Sequence, residues 1–133
     1  MSYLARPSMG NPPDTAPLSV VRLLVVSDDE TRTTLREGLH RRFEIAEAGT
    51  AAEALSFVRA RWFGTVVVDY ELRDASGVAL LRQLAAEFPS THRILISRRV
   101  VPDLGTLLDE GIVELFFAKP VNSREFSDFF LST

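Results

Sequence analysis

"VVVDY", residues 66–70, ends a run of valines on a carboxylate. A continuous apolar run of this length reads as a strand covered on both faces, as in a parallel sheet sandwiched between helices. The run stops on Asp69, which places a charge at the carboxyl end of that strand. An aspartate there either caps the next turn, its ordinary role, or serves as a reactive group. The rest of the chain bears on that choice.

Working outward, strand-like and helix-like segments alternate. "VRLLVV" (21–26) is another continuous apolar run, and "FEIAEA" (43–48) alternates apolar and polar residues as an edge strand does. With "TVVVD" (65–69), "HRILIS" (92–97) and "VELFFAK" (113–119), five strands are expected. The segments between them carry helical signals. "SDDETRTTLREGLHRR" has Leu35 and Leu39 one turn apart, and "TAAEALSFVRA" opens with Thr50 and Glu53 at capping-box spacing. "SGVALLRQLAAEF" sets Val78, Leu81, Leu84 and Phe88 at helical spacing. "PDLGTLLDEG" has Pro102 near its first turn and Gly111 where a C-cap falls, and "NSREFSDFFL" repeats the cap pair with Asn122 and Glu125. The order βαβαβαβαβα builds a parallel sheet with helices on both faces, and right-handed crossovers leave few topologies. No G-x-G-x-x-G follows the first strand, so the six-strand dinucleotide fold is disfavoured. The expectation is an α/β, flavodoxin-like (βα)5 doubly wound sandwich with strand order 2-1-3-4-5.

The 133 residues are enough for one domain with a core. Net charge is −3 with no basic block, so direct nucleic-acid binding is not the default reading. The absence of cysteine excludes disulfides and thiolate metal sites and fits a reducing compartment. No stretch has the length of a signal-peptide core or a membrane span, so a cytoplasmic location without membrane contact is expected. Residues 1–19 contain Pro7, Pro12, Pro13 and Pro17 and are expected to form a disordered leader before a domain at 20–133.

In an open parallel sheet, functional groups gather beyond the carboxyl ends of the strands near the switch point. Strand one ends at Ser27, Asp28 and Asp29, strand three at Asp69, strand four at Ser97 and strand five at Lys119-Pro120. In the 2-1-3-4-5 order these ends converge on one cleft. Clustered carboxylates repel one another, which raises a pKa or demands a cation. An all-oxygen donor set favours a hard ion such as Mg²⁺. Lys119 adds a compact positive charge and Ser97 a hydroxyl. A carboxylate in such a setting is able to act as a nucleophile and form an aspartyl-phosphate.

"LLVVSDDE", "VVVDYELRDASG", "RILIS" and "FFAKPV" resemble, in order and spacing, the motifs of response-regulator receiver domains of two-component signalling, the CheY-like superfamily. The resemblance covers roughly Val21 to Leu131. It implies a phosphorelay domain in which Asp69 accepts a phosphoryl group from a sensor histidine kinase or phosphotransfer protein. It implies Mg²⁺ held by Asp28, Asp69 and the backbone carbonyl of Glu71, with Asp29 as a further candidate ligand. Lys119 would pair with the phosphate, through a bond to Pro120 that is often cis. Ser97 and Phe116 would form the switch, and Gly77 matches the glycine of the loop after strand three. The face of helix four, strand five and helix five would receive an effector domain or a second copy. The only chemistry implied is self-phosphorylation and its reversal, not that of an enzyme.

The chain departs from the family pattern at Ser27, where an acid is usual, and at Arg98, where a small residue is usual. It also carries one extra residue between Gly111 and Lys119. These departures keep open a degenerate receiver that binds partners independently of phosphorylation. A small hydrolase with an aspartyl nucleophile is a third reading, although the acids or cap that would position water are not evident in the sequence.

Overall fold

The computed structural model describes residues 21–131; the leader expected at 1–19 lies outside them. Five strands, β1 (Val21–Val26), β2 (Phe43–Ala48), β3 (Thr65–Asp69), β4 (His92–Ser97) and β5 (Leu115–Ala118), alternate with helices. These are α1 (Asp29–Leu39), α2 (Ala51–Ala60), α3 (Gly77–Glu87), α4 (Leu104–Asp109) and α5 (Ser123–Leu131). All strand pairs are parallel and the order is β2-β1-β3-β4-β5, the flavodoxin-like order.

The continuous apolar runs form central strands because each strand presents alternate residues to two separate cores. Leu24, Val26, Val66, Val68 and Leu95 face α2 and α3 and pack with Ala54, Leu81 and Leu84. Leu23, Val25, Val67, Ile94 and Ile96 face the other way, against Leu35 and Leu39 of α1 and Phe126 of α5. Each such aliphatic side chain contributes about 1.5–3 kcal/mol when fully buried.

The helix starts follow the cap chemistry. Thr50 accepts from Glu53 N–H at 3.1 Å, and Asn122 Oδ1 accepts from the N–H groups of Arg124 and Glu125 at 2.9 and 3.1 Å. Glu53 returns its carboxylate to Gly49 N–H at 2.8 Å, one residue earlier than a strict capping box. The fourth helix is shorter than expected. Asp103 adopts a left-handed conformation (φ 60°), so Pro102 stays outside α4. Gly111, at φ 77°, ends the helix as a C-terminal glycine should. β5 contracts from the expected 113–119 because Val113 N–H turns back to Leu107 O and closes α4 instead. Arg93 is buried and locks this region. Its guanidinium donates to the carbonyls of Thr91 (2.8 Å), Gly111 (2.9 Å) and Ile112 (3.1 Å).

Candidate functional site

The sheet register places the strand ends. β1 and β3 pair Val26 with Val68, so the next residues, Ser27 and Asp69, lie side by side. Backbone bonds continue past the strands: Ser27 N–H to Ala48 O (3.1 Å), Tyr70 N–H to Ile96 O (2.8 Å) and Lys119 N–H to Ser97 O (2.9 Å). The loop after β3 is then pulled tight. Gly77 N–H donates to Tyr70 O at 2.8 Å, and a Cβ at Gly77 would lie 2.1 Å from Asp69 O, so only glycine fits without opening the loop. Asp74 on the same loop accepts from the N–H groups of Ala51 and Ala52 (2.8 and 3.1 Å) and ties it to the start of α2.

Three residues of the expected site meet. Lys119 Nζ lies 2.5 Å from Asp69 Oδ2 and 2.8 Å from Asp28 Oδ2, with its side chain only 4% exposed. The peptide bond between Lys119 and Pro120 is cis, as the resemblance implies. Asp28 has two roles at once. Its Oδ1 accepts from Thr31 N–H at 2.8 Å and caps α1, while its Oδ2 serves the lysine. Burial alone would raise the Asp28 carboxyl, but the hydrogen bonds from Lys119 and Thr31 outweigh it and hold the pKa at about 2. Burial alone would lower Lys119, and the bonds to Asp28 and Asp69 keep it above its ordinary value. Asp69 is itself buried, and Glu71 N–H donates to its Oδ1 at 3.1 Å.

The remaining expected residues are arranged differently. Ser97 is buried, but its hydroxyl forms a local turn, donating to Arg99 O (2.8 Å) and accepting from Arg99 N–H (3.0 Å). Asp29 is exposed and pairs with Arg32. Phe116, opposite Leu95 in the register, is partly buried against the core that includes Val101 and Leu107. Arg98 is exposed, and the Glu71 side chain pairs with Arg99 at 3.2 Å. Ser27, expected among the converging strand ends, is buried, and its hydroxyl donates to Asp69 Oδ2 at 2.7 Å, a contact set by the parallel register of β1 and β3.

A cleft of about 250 Å³ opens beside the cluster, lined by Ser27, Asp28, Asp29 and Glu71 with Arg32 and Arg73. Among the described residues, no group of three or more His, Cys, Asp or Glu side chains is placed to hold a metal ion. The donors present suit Mg²⁺ all the same. That ion takes one or two carboxylates and keeps several waters, and Asp28 and Asp69 offer carboxylates beside the Glu71 backbone. Lys119 neutralises part of their charge and leaves one net negative charge.

The carboxyl edge of a doubly wound parallel sheet thus gathers two carboxylates and a lysine. The sequence model of the response regulator receiver domain matches residues 23–129. The chain is 30% identical over 107 residues to the sensor protein TorS of Escherichia coli (strain K12), covering 78% of this chain and 12% of TorS. It thus spans about an eighth of that relative's length. Among solved structures it resembles a CheY-like response regulator receiver domain protein from Methanospirillum hungatei JF-1, with TM-score 0.77 and 23% identity, covering 86% of this chain and 93% of that one. It also resembles a response regulator protein from Burkholderia pseudomallei, with TM-score 0.72 and 26% identity, covering 80% of this chain and 64% of that one. The latter crystal structure contains a phosphorylated aspartic acid, a calcium ion and citrate. The chain belongs to the response regulator receiver domain family, the receiver domains of two-component signalling. No helix among the described residues is long and apolar enough to cross a membrane.

Proposed function

We propose that this domain accepts a phosphoryl group on Asp69 from a sensor histidine kinase or a phosphotransfer protein. The observation that carries this reading is the convergence of three strand ends on one ammonium: Lys119 Nζ bridges Asp69 Oδ2 and Asp28 Oδ2. A carboxylate oxygen of Asp69 supplies the electron pair of the new O–P bond as the P–N bond to the donor breaks. Lys119, held cationic by its two carboxylate partners, stands ready to pair with the phosphoryl oxygens. Asp28, Asp69 and the Glu71 backbone carbonyl would hold Mg²⁺, with Asp29 as a further candidate, and the ion would supply positive charge to the transferred group.

The product is a new dianion beside Ser97. Its pull on the Ser97 hydroxyl competes with the local turn to Arg99, and Phe116 transmits the change through its partly buried ring. The responding face comprises α4, β5 and α5, where Leu108 and Phe129 are exposed apolar side chains; Val100, in the loop before α4, is exposed as well. An effector domain or a second copy of the chain docks there.

Incubation with phosphoramidate and Mg²⁺, read by intact-protein mass spectrometry, tests the reading. The expected result is a gain of one phosphoryl group that disappears in Asp69→Ala. No gain, or a gain that survives Asp69→Ala, refutes it.

A further inference from the structure

The cleft beside the strand-end cluster holds a second set of charges that phosphotransfer leaves unused. Asp29 and Arg32, one turn apart on α1, both line it and form an ion pair. The Asp29 side chain is 91% exposed, that of Arg32 only 21%. The arginine is thus laid into the cleft, and its Nε is buried with no hydrogen-bond partner among the described residues. Its Nη2 donates to Asp29. Arg73 brings a second guanidinium. Its Nη2 and Arg32 Nη1 lie 3.2 and 3.7 Å from the point where a Cβ at Gly49 would stand, so two like charges crowd one spot. Glu53 Oε1 is also there, but it accepts from Gly49 N–H. Repulsion between the two cations favours the contact of Arg32 with Asp29. Over the cleft and the cluster the charges cancel. Asp28 and Asp69 share Lys119, Glu71 pairs with Arg99 and Asp29 with Arg32, and Arg73 balances what remains. A neutral cleft exerts little long-range pull on a divalent ion, so local exchanges of partner decide how tightly one is held.

We infer that Arg32 competes with the divalent ion for the Asp29 carboxylate and thereby sets how much Mg²⁺ the domain needs. This rests on the Mg²⁺ site proposed above. In the ion-free protein Arg32 occupies Asp29. When Mg²⁺ is held by Asp28 and Asp69, Asp29 changes partner and turns its charge to the ion or to one of the waters that the ion keeps. The gain from that carboxylate is offset by the loss of the Asp29–Arg32 pair, so the affinity stays below what the acids alone would give. Mg²⁺ remains required, and Arg32 raises the concentration at which the site fills.

The test is a double-mutant cycle on the unphosphorylated full chain: wild type, Arg32→Gln, Asp29→Asn and the double variant, with Asp28→Asn as the control for the site. Mg²⁺ affinity is fitted from the rise of the melting temperature with Mg²⁺ concentration, and the melts in EDTA establish that each protein is folded. Arg32→Gln is expected to bind Mg²⁺ about fivefold more tightly than the wild type, the factor that a largely exposed ion pair is able to withhold. Asp29→Asn is expected to weaken binding about fivefold in the Arg32→Gln background and less than about twofold in the wild type, where Arg32 already occupies the carboxylate. If Arg32→Gln gains nothing, the competition is refuted. It is refuted equally if Asp29→Asn costs the same or a smaller factor without Arg32, as charges acting only at a distance would give. In both cases a loss of Mg²⁺ affinity in Asp28→Asn leaves the ion site standing. If none of the proteins is stabilised by Mg²⁺, or Asp28→Asn responds as the wild type does, the Mg²⁺ site and this inference fall together.

Discussion

Gly77→Ala should destabilise the domain even though it replaces glycine by the best helix former in the first turn of α3. Intrinsic propensity favours alanine by up to about 1 kcal/mol. The tertiary structure opposes it. The new Cβ would lie 2.1 Å from Asp69 O, 2.8 Å from Asp69 C and 2.9 Å from Tyr70 Cα, all backbone atoms that cannot rotate away. Non-bonded carbons settle at about 3.5–4.0 Å, so the loop must open by roughly an ångström. Opening breaks the 2.8 Å bond from Gly77 N–H to Tyr70 O. Loss of that bond costs about 1 kcal/mol and the overpacking a further 1–3 kcal/mol. After subtracting the propensity gain, the expected net loss is about 2 kcal/mol. In urea denaturation followed by far-UV circular dichroism, that loss lowers the midpoint by about 1 M with the slope unchanged. Gly105→Ala in α4 is the internal control. Nothing lies within 4 Å of its added Cβ, so the same substitution should stabilise by about 0.5–1 kcal/mol. A Gly77→Ala midpoint at or above the wild-type value would refute the argument that backbone proximity at Asp69 overrides propensity.

Two further outcomes are expected. Asp28→Asn keeps an oxygen to cap α1 but removes the charge that Lys119 binds. Because the Asp28 carboxyl sits at about 2 instead of its ordinary 3.8, the unfolded chain binds its proton more readily than the folded one between those values. Its contribution to stability is therefore complete above the ordinary value and fades as pH falls through about 2. Thermal melts should show a wild-type advantage at about pH 6 that narrows on acidification and is gone near pH 2; an advantage that grows on acidification would refute this. Arg93→Met leaves the carbonyls of Thr91, Gly111 and Ile112 without their buried donor, with an expected cost of about 3 kcal/mol. Amide exchange should accelerate first at Ile112 and Val113 beside α4, and wild-type protection there would contradict the assignment of Arg93 as the lock.

How much of the site was legible in the sequence depends on how far apart its members lie. Asp69, Asp28 and Lys119 stood out because each ends a strand of recognisable pattern, and the strand order alone predicts that such ends converge. Asp28 also caps α1, a local role that its neighbour Asp29 does not take. Ser97 was legible as a strand end, but its hydroxyl bond to Arg99 depends on the loop conformation. Asp29 was a plausible ligand by adjacency; it lines the cleft with an exposed side chain, and its pairing with Arg32 was not legible in the chain. Arg93 looked like one polar residue in a strand, because the carbonyls that need it lie on loops up to 19 residues away.

By itself the sequence determined the order of elements, the buried strands, the helix caps and the identity of the strand-end groups. These follow from short-range causes: apolar runs seek burial on both faces, and side chains cap the helix a few residues downstream. Tertiary structure alone decided which groups touch. Ser27 meets Asp69 across 42 residues through the register of the neighbouring strands β1 and β3, and Lys119 meets Asp28 across 91 with β3 and β4 between their strands. That register is a property of the packed sheet, where burial of both faces selects one alignment. It made Ser27, a hydroxyl where the family pattern has an acid, a direct partner of the central carboxylate.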